Sequence, residues 1–441
     1  MKILFGIHHF PPHYRGGAEL ETHRRALALQ AHGYDVQVIC VEKIDRGPKE
    51  GVSWVDEVYE GVKVRRLSFN MAATPDPFLW EYDNPWIGDH LRQLMLDYQP
   101  DIFYLVSGYL MSGRALLVAR ELGIPTVVML TDFWFLCRRI TLLRSNGQLT
   151  TMPIDPMNCA RCLGEEKRRY RWPAKLVPGL MDSFWRLQKH KRIRFEARAR
   201  FLLETLGQAN CVISPSNFLR LAHIEAGLPA DKIIFSRQGR DFPGLTEAML
   251  EKKPSGALRV GYLGQIAHLK GVHVLLEAVK QLPQMPIEVQ VYGDLKHFPG
   301  YVAKLRRLIG DDSRFHLNGL YDQLTNALHE LDVVVAPSLW YENSPNVILE
   351  ALAHCTPVLA SNLGGMAELV QDGRNGLLFK AGDAGDLARQ LRRLLDEPGL
   401  LPKLRAGIQP VKTVAEELDE LKSICQELLA GKSRPASEIS G

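Results

Sequence analysis

Two glutamates, Glu342 and Glu350, stand eight positions apart in the run PSLWYENSPNVILEALAH at 337–354. Ser344-Pro345 between them reads as a helix start. Ser is a good N-cap, and Pro suits the first helical position because its missing N–H would have no partner there anyway. Glu342 is then in the loop ahead of a helix, and Glu350 about one and a half turns inside it. The amides of Asn346 and Val347 point out of the helix mouth, where the helix dipole favours an anion. A phosphate held there would have one carboxylate in front and one to the side. That arrangement suits a ligand with both phosphates and hydroxyls, such as a nucleotide sugar. Two solvated acids on a surface helix would give the same spacing, so the pair alone leaves both readings open.

Three further turns could meet such a ligand. The first strand ends in HHFPPHYRGGAELE, where Gly16-Gly17 opens a helix and lets backbone amides approach without a Cβ in the way. Its glycine spacing is not that of a dinucleotide-binding turn. In VGYLGQIAHLKGVHVLLEA, a loop after Gly264 leads to Lys270-Gly271 and a helix. A lysine at a helix mouth pairs with phosphate as a point charge, although the spacing is not that of a P-loop. SNLGGMAELV places Gly364-Gly365 between another strand and another helix. Each is also compatible with an ordinary tight turn or a solvated loop. Their convergence on one sheet edge counts for more than any one of them.

Those turns need strands behind them, and the chain supplies two series. KILFGI, DVQVICV, VKVRRLSF, DIFYLVSG, PTVVMLT, NCVISPS and KIIFS occupy the first half; LRVGYLG, IEVQVYG, FHLNGL, DVVVAPS, PVLAS and GLLF occupy the second. Amphipathic stretches such as ELETHRRALALQAHG and GVHVLLEAVKQL lie between them. Near-continuous apolar strands alternating with helices predict parallel α/β sheets covered on both faces. Two series predict two doubly wound domains, joined through the polar stretch 242–257. Ligands of such sheets sit beyond the carboxyl ends of the strands.

A length of 441 residues agrees with two domains. No apolar run reaches the ~18 residues that span a bilayer. MKILFGIHHF lacks the cleavage site of a signal peptide and reads as a first strand. Seven cysteines, an odd number, predict a reducing, cytoplasmic setting. Charge is uneven: residues 161–200 hold 13 Lys/Arg against 4 Asp/Glu, leaving 41 against 46 elsewhere. Nothing else in the chain supports base recognition, so no nucleic-acid partner is expected.

GQIAHLKG, then VYG, NGL and PSLWYENSPNVILEALAHCTPVLASNLGGMAELVQDGRNGLLF, together resemble the second domain of family 4 retaining glycosyltransferases. PPHYRGGAELETHRRALALQAHGYDVQVI is similar to that family's first helix, and PSNF at 215–218 resembles its Pro-Ser-x-Phe signature. The resemblance covers roughly residues 1–400 and implies a GT-B fold, two Rossmann-like domains facing a central cleft. Residues 1–245 would be the acceptor-side domain and 256–405 the nucleotide-sugar-binding domain. Helices in 406–430 would pack back toward the first domain, and 431–441 would be a disordered tail.

The resemblance also implies roles. Glu350 would hold the donor ribose, Glu342 would contact the transferred sugar, and Lys270 would neutralise the diphosphate together with the amides of Asn346 and Val347. The backbone of Leu320 would face the base, and Gly17 would let its loop approach the donor phosphate. Glu342, Lys270 and Asp132 would be the catalytic groups. The implied reaction moves a sugar from a nucleotide-sugar donor to a glycan or lipid-linked acceptor, with retention and without a metal. Two departures bear on it. Gln265 stands where the family usually has an Arg that is a second cation on the diphosphate; Arg237 or Arg240 could supply that charge. Thr131 stands where a His often precedes the acid in LTDFWFLC. The alternative is a catalytically weak partner subunit that binds nucleotide sugar or glycan. A nucleotide-sugar epimerase fits the glutamate pair less well.

Cys159 and Cys162 form a C-x2-C knuckle with Cys137 upstream, and three thiols plus one ligand would make a structural zinc site. Similar sequences carry a fourth Cys near Thr150-Thr151; this chain has none there, and Asp155 could stand in. Free thiols in a packed loop, or a disulfide, are the competing readings. The basic stretch 167–200 mixes Lys and Arg with Trp172, Leu180, Phe184 and Trp185. That mixture suits peripheral docking on an anionic membrane surface; a solvated helical face or inter-domain packing would read the same way.

Overall fold

The computed structural model describes residues 1–242, 245, 246, 250, 252 and 254–431. The chain divides into two compact units, Met1–Arg237 with Ala415–Gly441, and Gln238–Val414. The division falls after Arg237, ahead of the expected 245. Much of the expected 242–257 linker, and the expected tail apart from Gly431, lie outside the described residues.

The first unit is built on β1 (Lys2–Ile7), β2 (Asp35–Lys43), β3 (Ser53–Tyr59), β4 (Val62–Ser68), β5 (Ile102–Val106), β6 (Thr126–Met129), β7 (Cys211–Ser214) and β8 (Ile233–Phe235). They form one sheet in the order β3-β4-β2-β1-β5-β6-β7-β8. All neighbours are parallel except β3 and β4. β5, β6 and β7 are buried along their whole length, which is why they read as continuous apolar runs. β3 is an addition to the expected strands. Its SWVDEVY side chains are mostly exposed, so it has no apolar face to signal it. It is held as an edge hairpin by the Glu60-Gly61 turn, both residues at positive φ, and by cross-strand ion pairs Arg65–Asp56 and Arg66–Glu57, each 2.7 Å.

The second unit has β9 (Leu258–Leu263), β10 (Ile287–Tyr292), β11 (Phe315–Gly319), β12 (Val333–Ala336), β13 (Val358–Ser361) and β14 (Gly376–Phe379), all parallel, in the order β11-β10-β9-β12-β13-β14. Side chains alternate between two cores. Val333 and Val335 pack with the helices Val272–Lys280, Pro299–Ile309 and Ala384–Asp396. Val334 and Ala336 pack with the helices Asn346–Ala353 and Gly364–Leu369. Burial of both faces follows from the parallel arrangement.

The order of strands reverses between β1 and β5 in one sheet and between β9 and β12 in the other. Loops leaving the carboxyl ends of these pairs diverge, and the crevice they leave is where such sheets bind ligands.

Among the described residues after 406 there is one helix, Val414–Leu429, which belongs to the first unit but for Val414. Its Glu417 pairs with the buried Arg25, and Ser236 Oγ donates to Glu420 Oε2 at 2.6 Å. The two ends of the second unit lie side by side: Arg240 N donates to Lys412 O at 2.8 Å, and Val414 N to Asp241 Oδ1 at 3.0 Å.

Candidate active site

Lys270 and Glu342 come from the loops after β9 and β12, the two strands that flank the reversal in the second sheet. The loops are joined by Leu339 N to Leu269 O at 2.8 Å. Lys270 ends a short 3-10 turn, and Gly271 follows at φ 72°. A Cβ on Gly271 would lie 1.9 Å from Pro337 O, so only glycine lets the loops close to this distance. Lys270 Nζ stands 2.5 Å from Glu342 Oε1, which also accepts from Ser338 Oγ at 2.8 Å. The ammonium lies 5.5 Å from the centroid of the Trp340 ring. Glu342 is buried, and the loop after β13 holds its backbone through Gly365 N to Glu342 O, 2.8 Å. The three marked turns of this sheet therefore meet at one point. Tyr262 lies beneath it, its phenol pushed well above the ordinary value by burial and then by Glu342.

The helix mouth differs from expectation by one residue. The helix runs Asn346–Ala353 with Pro345, not Ser344, at the N-cap, and no side chain caps it. Pro345 keeps an extended ψ of 118° and does not begin the helix, so the cap moves on by one. Ile348 N donates to Pro345 O at 3.0 Å, leaving the amides of Asn346 and Val347 at the mouth. Ser344 Oγ and Trp340 Nε1 are buried without a hydrogen-bond partner among the described residues. Such orphaned groups cost about 1–3 kcal/mol each and are what a polar ligand would satisfy.

Glu350 is half-buried on this helix, and Tyr321 faces it: burial, then Glu350, raise the Tyr321 phenol. Leu320 is 74% exposed after β11. Gln265 is exposed, its carbonyl taking the Tyr262 hydroxyl at 2.7 Å. Arg240 is buried in the second unit, and Arg237 of the first unit lies 5.0 Å over Phe235. Ser338, Trp340 and Tyr321 carry no signal of their own in the sequence. The first two lie inside the quoted PSLWYENSP run, where only the acids were weighed.

The first unit gathers a second constellation at its own reversal. Asp132 follows β6. Its Oδ2 accepts from Ser107 Oγ, just past β5, at 2.9 Å, and its Oδ1 from Trp134 N at 2.8 Å. Burial raises its carboxyl against the pull of these bonds, of His8 and of the Thr131 hydroxyl. His8, one residue past β1, lies 3.4 Å from Glu19 Oε1. Gly16 is the N-cap of the helix Gly17–Ala31, Gly17 is its exposed first residue, and the mouth is already served by Glu19. Burial opposes ionisation of Glu19, yet His8 and its own helix amide hold the carboxyl below its ordinary value. His8, Glu19 and Ser107 were not singled out from sequence; the order β2-β1-β5-β6 that joins them is not visible in any local pattern.

Cys137, Cys159 and Cys162 are free thiols. Burial pushes Cys159 up to about 12. Asp155 does not join them as a stand-in: it caps the helix Pro156–Gly164, accepting from Met157 N at 2.9 Å. Among the described residues no group of three or more His, Cys, Asp or Glu is placed to hold a metal ion. In the basic stretch, Trp185 is buried at 1% exposure, with Lys191 Nζ 4.8 Å over its ring. Arg192 pairs with Glu196 and Arg194 with Asp76. Trp185 therefore packs inward, while Trp172, Leu176, Leu180 and Leu187 are more than half exposed on the helices Arg168–Leu176 and Pro178–Leu187. No helix among the described residues is long and apolar enough to cross a membrane.

Residues 257–397 match the family model described as glycosyl transferases group 1, and residues 16–237 that described as a glycosyl transferase 4-like domain. A D-inositol 3-phosphate glycosyltransferase of Nocardiopsis dassonvillei is 26% identical over 417 residues, 90% of this chain and 87% of its own length. A glycogen synthase of Mycobacterium tuberculosis is 25% identical over 409 residues, again 90% and 87%. Among solved structures, a glycosyltransferase from Rickettsia africae superposes with a TM-score of 0.66 at 17% identity, covering 97% of this chain and 98% of that one. The Anabaena HepE protein in complex with UDP gives 0.62 at 18% identity over 98% and 99%. These superpositions are likenesses of fold. Carrying both domains of the family in order, the chain belongs to the group 1 glycosyl transferases of the family 4 type, with the GT-B fold.

Proposed function

We propose that this glycosyltransferase takes its sugar from a nucleotide-sugar donor held in the second unit and passes it, with retention and without a metal, to a glycan or lipid-linked acceptor. The observation that carries the reading is the Lys270–Glu342 pair at the strand reversal, beside the free amides of Asn346 and Val347. A diphosphate at that mouth is stabilised by the amides and by Lys270, which exchanges part of its contact with Glu342 for the phosphate. Gln265 adds a neutral hydrogen bond. Glu350 takes the ribose hydroxyls, the Leu320 backbone faces the base, and Glu342 orients the transferred sugar. The bond from the anomeric carbon to the diphosphate breaks as the bond to the acceptor oxygen forms on the same face. The acceptor's proton goes to the leaving phosphate oxygen. Cations and amides aimed at that developing charge are electrostatic catalysis.

Solved relatives in complex with UDP and UDP-glucose support a nucleotide-sugar donor. A panel of UDP-, GDP- and ADP-sugars, read by donor turnover and calorimetry, tests the reading. Turnover of one donor with loss of its binding in Glu350→Ala is the expected result. Unchanged binding in Glu350→Ala overturns the site, and tight binding without turnover of any donor overturns the enzyme in favour of a binding subunit.

We further infer that the helices between 167 and 200 dock on an anionic membrane face, on the cytoplasmic side. The four exposed apolar side chains Trp172, Leu176, Leu180 and Leu187, set among lysines and arginines, support it.

A further inference from the structure

We propose that a cavity in the first unit, walled by the loop after Asp132 and the helix Lys189–Gly207, binds a small amphipathic anion: one carboxylate or phosphate on an unbranched apolar chain. The cavity has a volume of about 310 Å³, at the lower end of the about 300–1,000 Å³ of small-molecule sites. Its walls are mainly apolar, with Phe135, Leu136, Met152, Ile154, Phe195 and Leu203 among them. An isolated apolar chamber would take a neutral hydrocarbon, but this one has Arg198 in its wall.

Arg198 is 3% exposed, and among the described residues it has no ion pair and one hydrogen bond, from Nη2 to Trp134 O at 2.8 Å. Its Nε is buried with no partner, and the guanidinium sits 5.3 Å over the Trp134 ring. Among the other deeply buried arginines, Arg25 has Glu417, and Arg66 has Glu57 and Glu42. A buried guanidinium normally needs such a partner, because its lost hydration is repaid only by an opposite charge in the same low-dielectric surroundings. Of the other charged groups around the cavity, Arg138 is engaged by Glu81, and Arg200 and Glu225 have opposite signs. The surplus is positive and lies at Arg198. An anionic head there and an apolar tail along the walls match both features of the chamber. At about 30 Å³ for a group the size of a water, the volume holds about ten such groups. That size selects a ten-carbon chain as the probe. The inference does not rest on the sugar-transfer reading.

Calorimetry on the full chain with decanoate, decyl phosphate and decan-1-ol tests it. The expected result is saturable one-to-one binding of at least one anion, at least tenfold tighter than the alcohol. Arg198→Gln should abolish that preference. Ala199→Trp, on an exposed position that also lines the cavity, should weaken binding at least tenfold with an unchanged melting temperature. Should Arg198→Gln fail to fold, the anion-to-alcohol ratio and Ala199→Trp decide. Absence of saturable binding, equal affinity for the alcohol, or unaltered binding in Ala199→Trp overturns the proposal.

Discussion

Gly365→Ala offers a sharp test of how the candidate site is positioned. Gly365 is the residue whose amide holds the backbone of Glu342, and it has no room for a side chain. A Cβ there would stand 1.6 Å from Asn343 O, 2.5 Å from Asn343 C and 3.0 Å from Glu342 O. The neighbours are backbone atoms that cannot rotate away. Opening the shortest of these contacts to 3.0 Å needs a shift of about 1.4 Å in one loop or the other. Overpacking of this kind costs about 1–3 kcal/mol, which at about 2–4 °C per kcal/mol for a unit of this size is a melting shift of about 2–12 °C. The shift falls on the segment that presents Glu342 to Lys270, and a misplacement of about 1 Å costs about 100-fold in rate. Donor turnover and scanning calorimetry on Gly365→Ala should therefore show both losses. Gly300→Ala is the control. It lies in the helix Pro299–Ile309 with nothing within 4 Å of its Cβ, so it should stabilise slightly and leave turnover alone. Wild-type turnover in Gly365→Ala would refute the claim that this close approach sets the position of Glu342.

Other outcomes follow from single contacts. Ser338→Ala removes one of the bonds to Glu342 Oε1 and should cost about 1.5–3 kcal/mol in urea denaturation; an unchanged midpoint would mean the hydroxyl does not support the carboxylate. His223 is fully buried in the helix Asn217–Glu225, and burial lowers its imidazole from 6.5 to about 4. As pH falls, the unfolded chain takes up that proton first. The stability from neutral His223 is complete above pH 6.5 and lost by about pH 4, a loss of about 3 kcal/mol. His223→Leu should flatten the acid limb of a stability profile over that interval, and an unaltered slope would assign the limb elsewhere. Replacing Trp172 and Leu180 together by Ser should abolish binding to anionic vesicles while preserving the melting temperature. Retained binding would place membrane contact on another surface.

How much of this was legible in the sequence depended on whether a residue's role was local. The thirteen apolar runs correspond to strands: burial on both faces leaves a continuous apolar signature in β5, β6, β7, β12 and β13, and one-sided burial an alternating one in β4 and β10. β3 has no such signature, since Trp54, Val55 and Val58 point to solvent at the sheet edge. The Gly-marked turns after β9, β12 and β13 could be read because close backbone approach demands particular residue types. Ser344 reads as the cap because Ser-Pro is a common helix start, whereas Pro345 itself stays extended at ψ 118° and takes the cap position. Trp185 was misread because aromatic and basic residues in sequence proximity do not reveal which way the helix turns. His8, Glu19 and Ser107 were passed over because only strand order brings them to Asp132, and that order is a property of the whole sheet.

The insertion of the second unit between Arg237 and Ala415 has a consequence for synthesis. A chain emerging from the ribosome completes Gln238–Val414 before it has made the helix that Arg25 requires. Until Glu417 arrives, the earliest helix holds a cation whose partner lies 392 residues downstream. Breaking a buried pair by removing one partner costs about 3–5 kcal/mol, so the first unit is the last to reach full stability although it begins first. Its full stability waits on the helix Val414–Leu429, while the second unit, with its two ends already hydrogen-bonded side by side, can close as soon as Val414 is made.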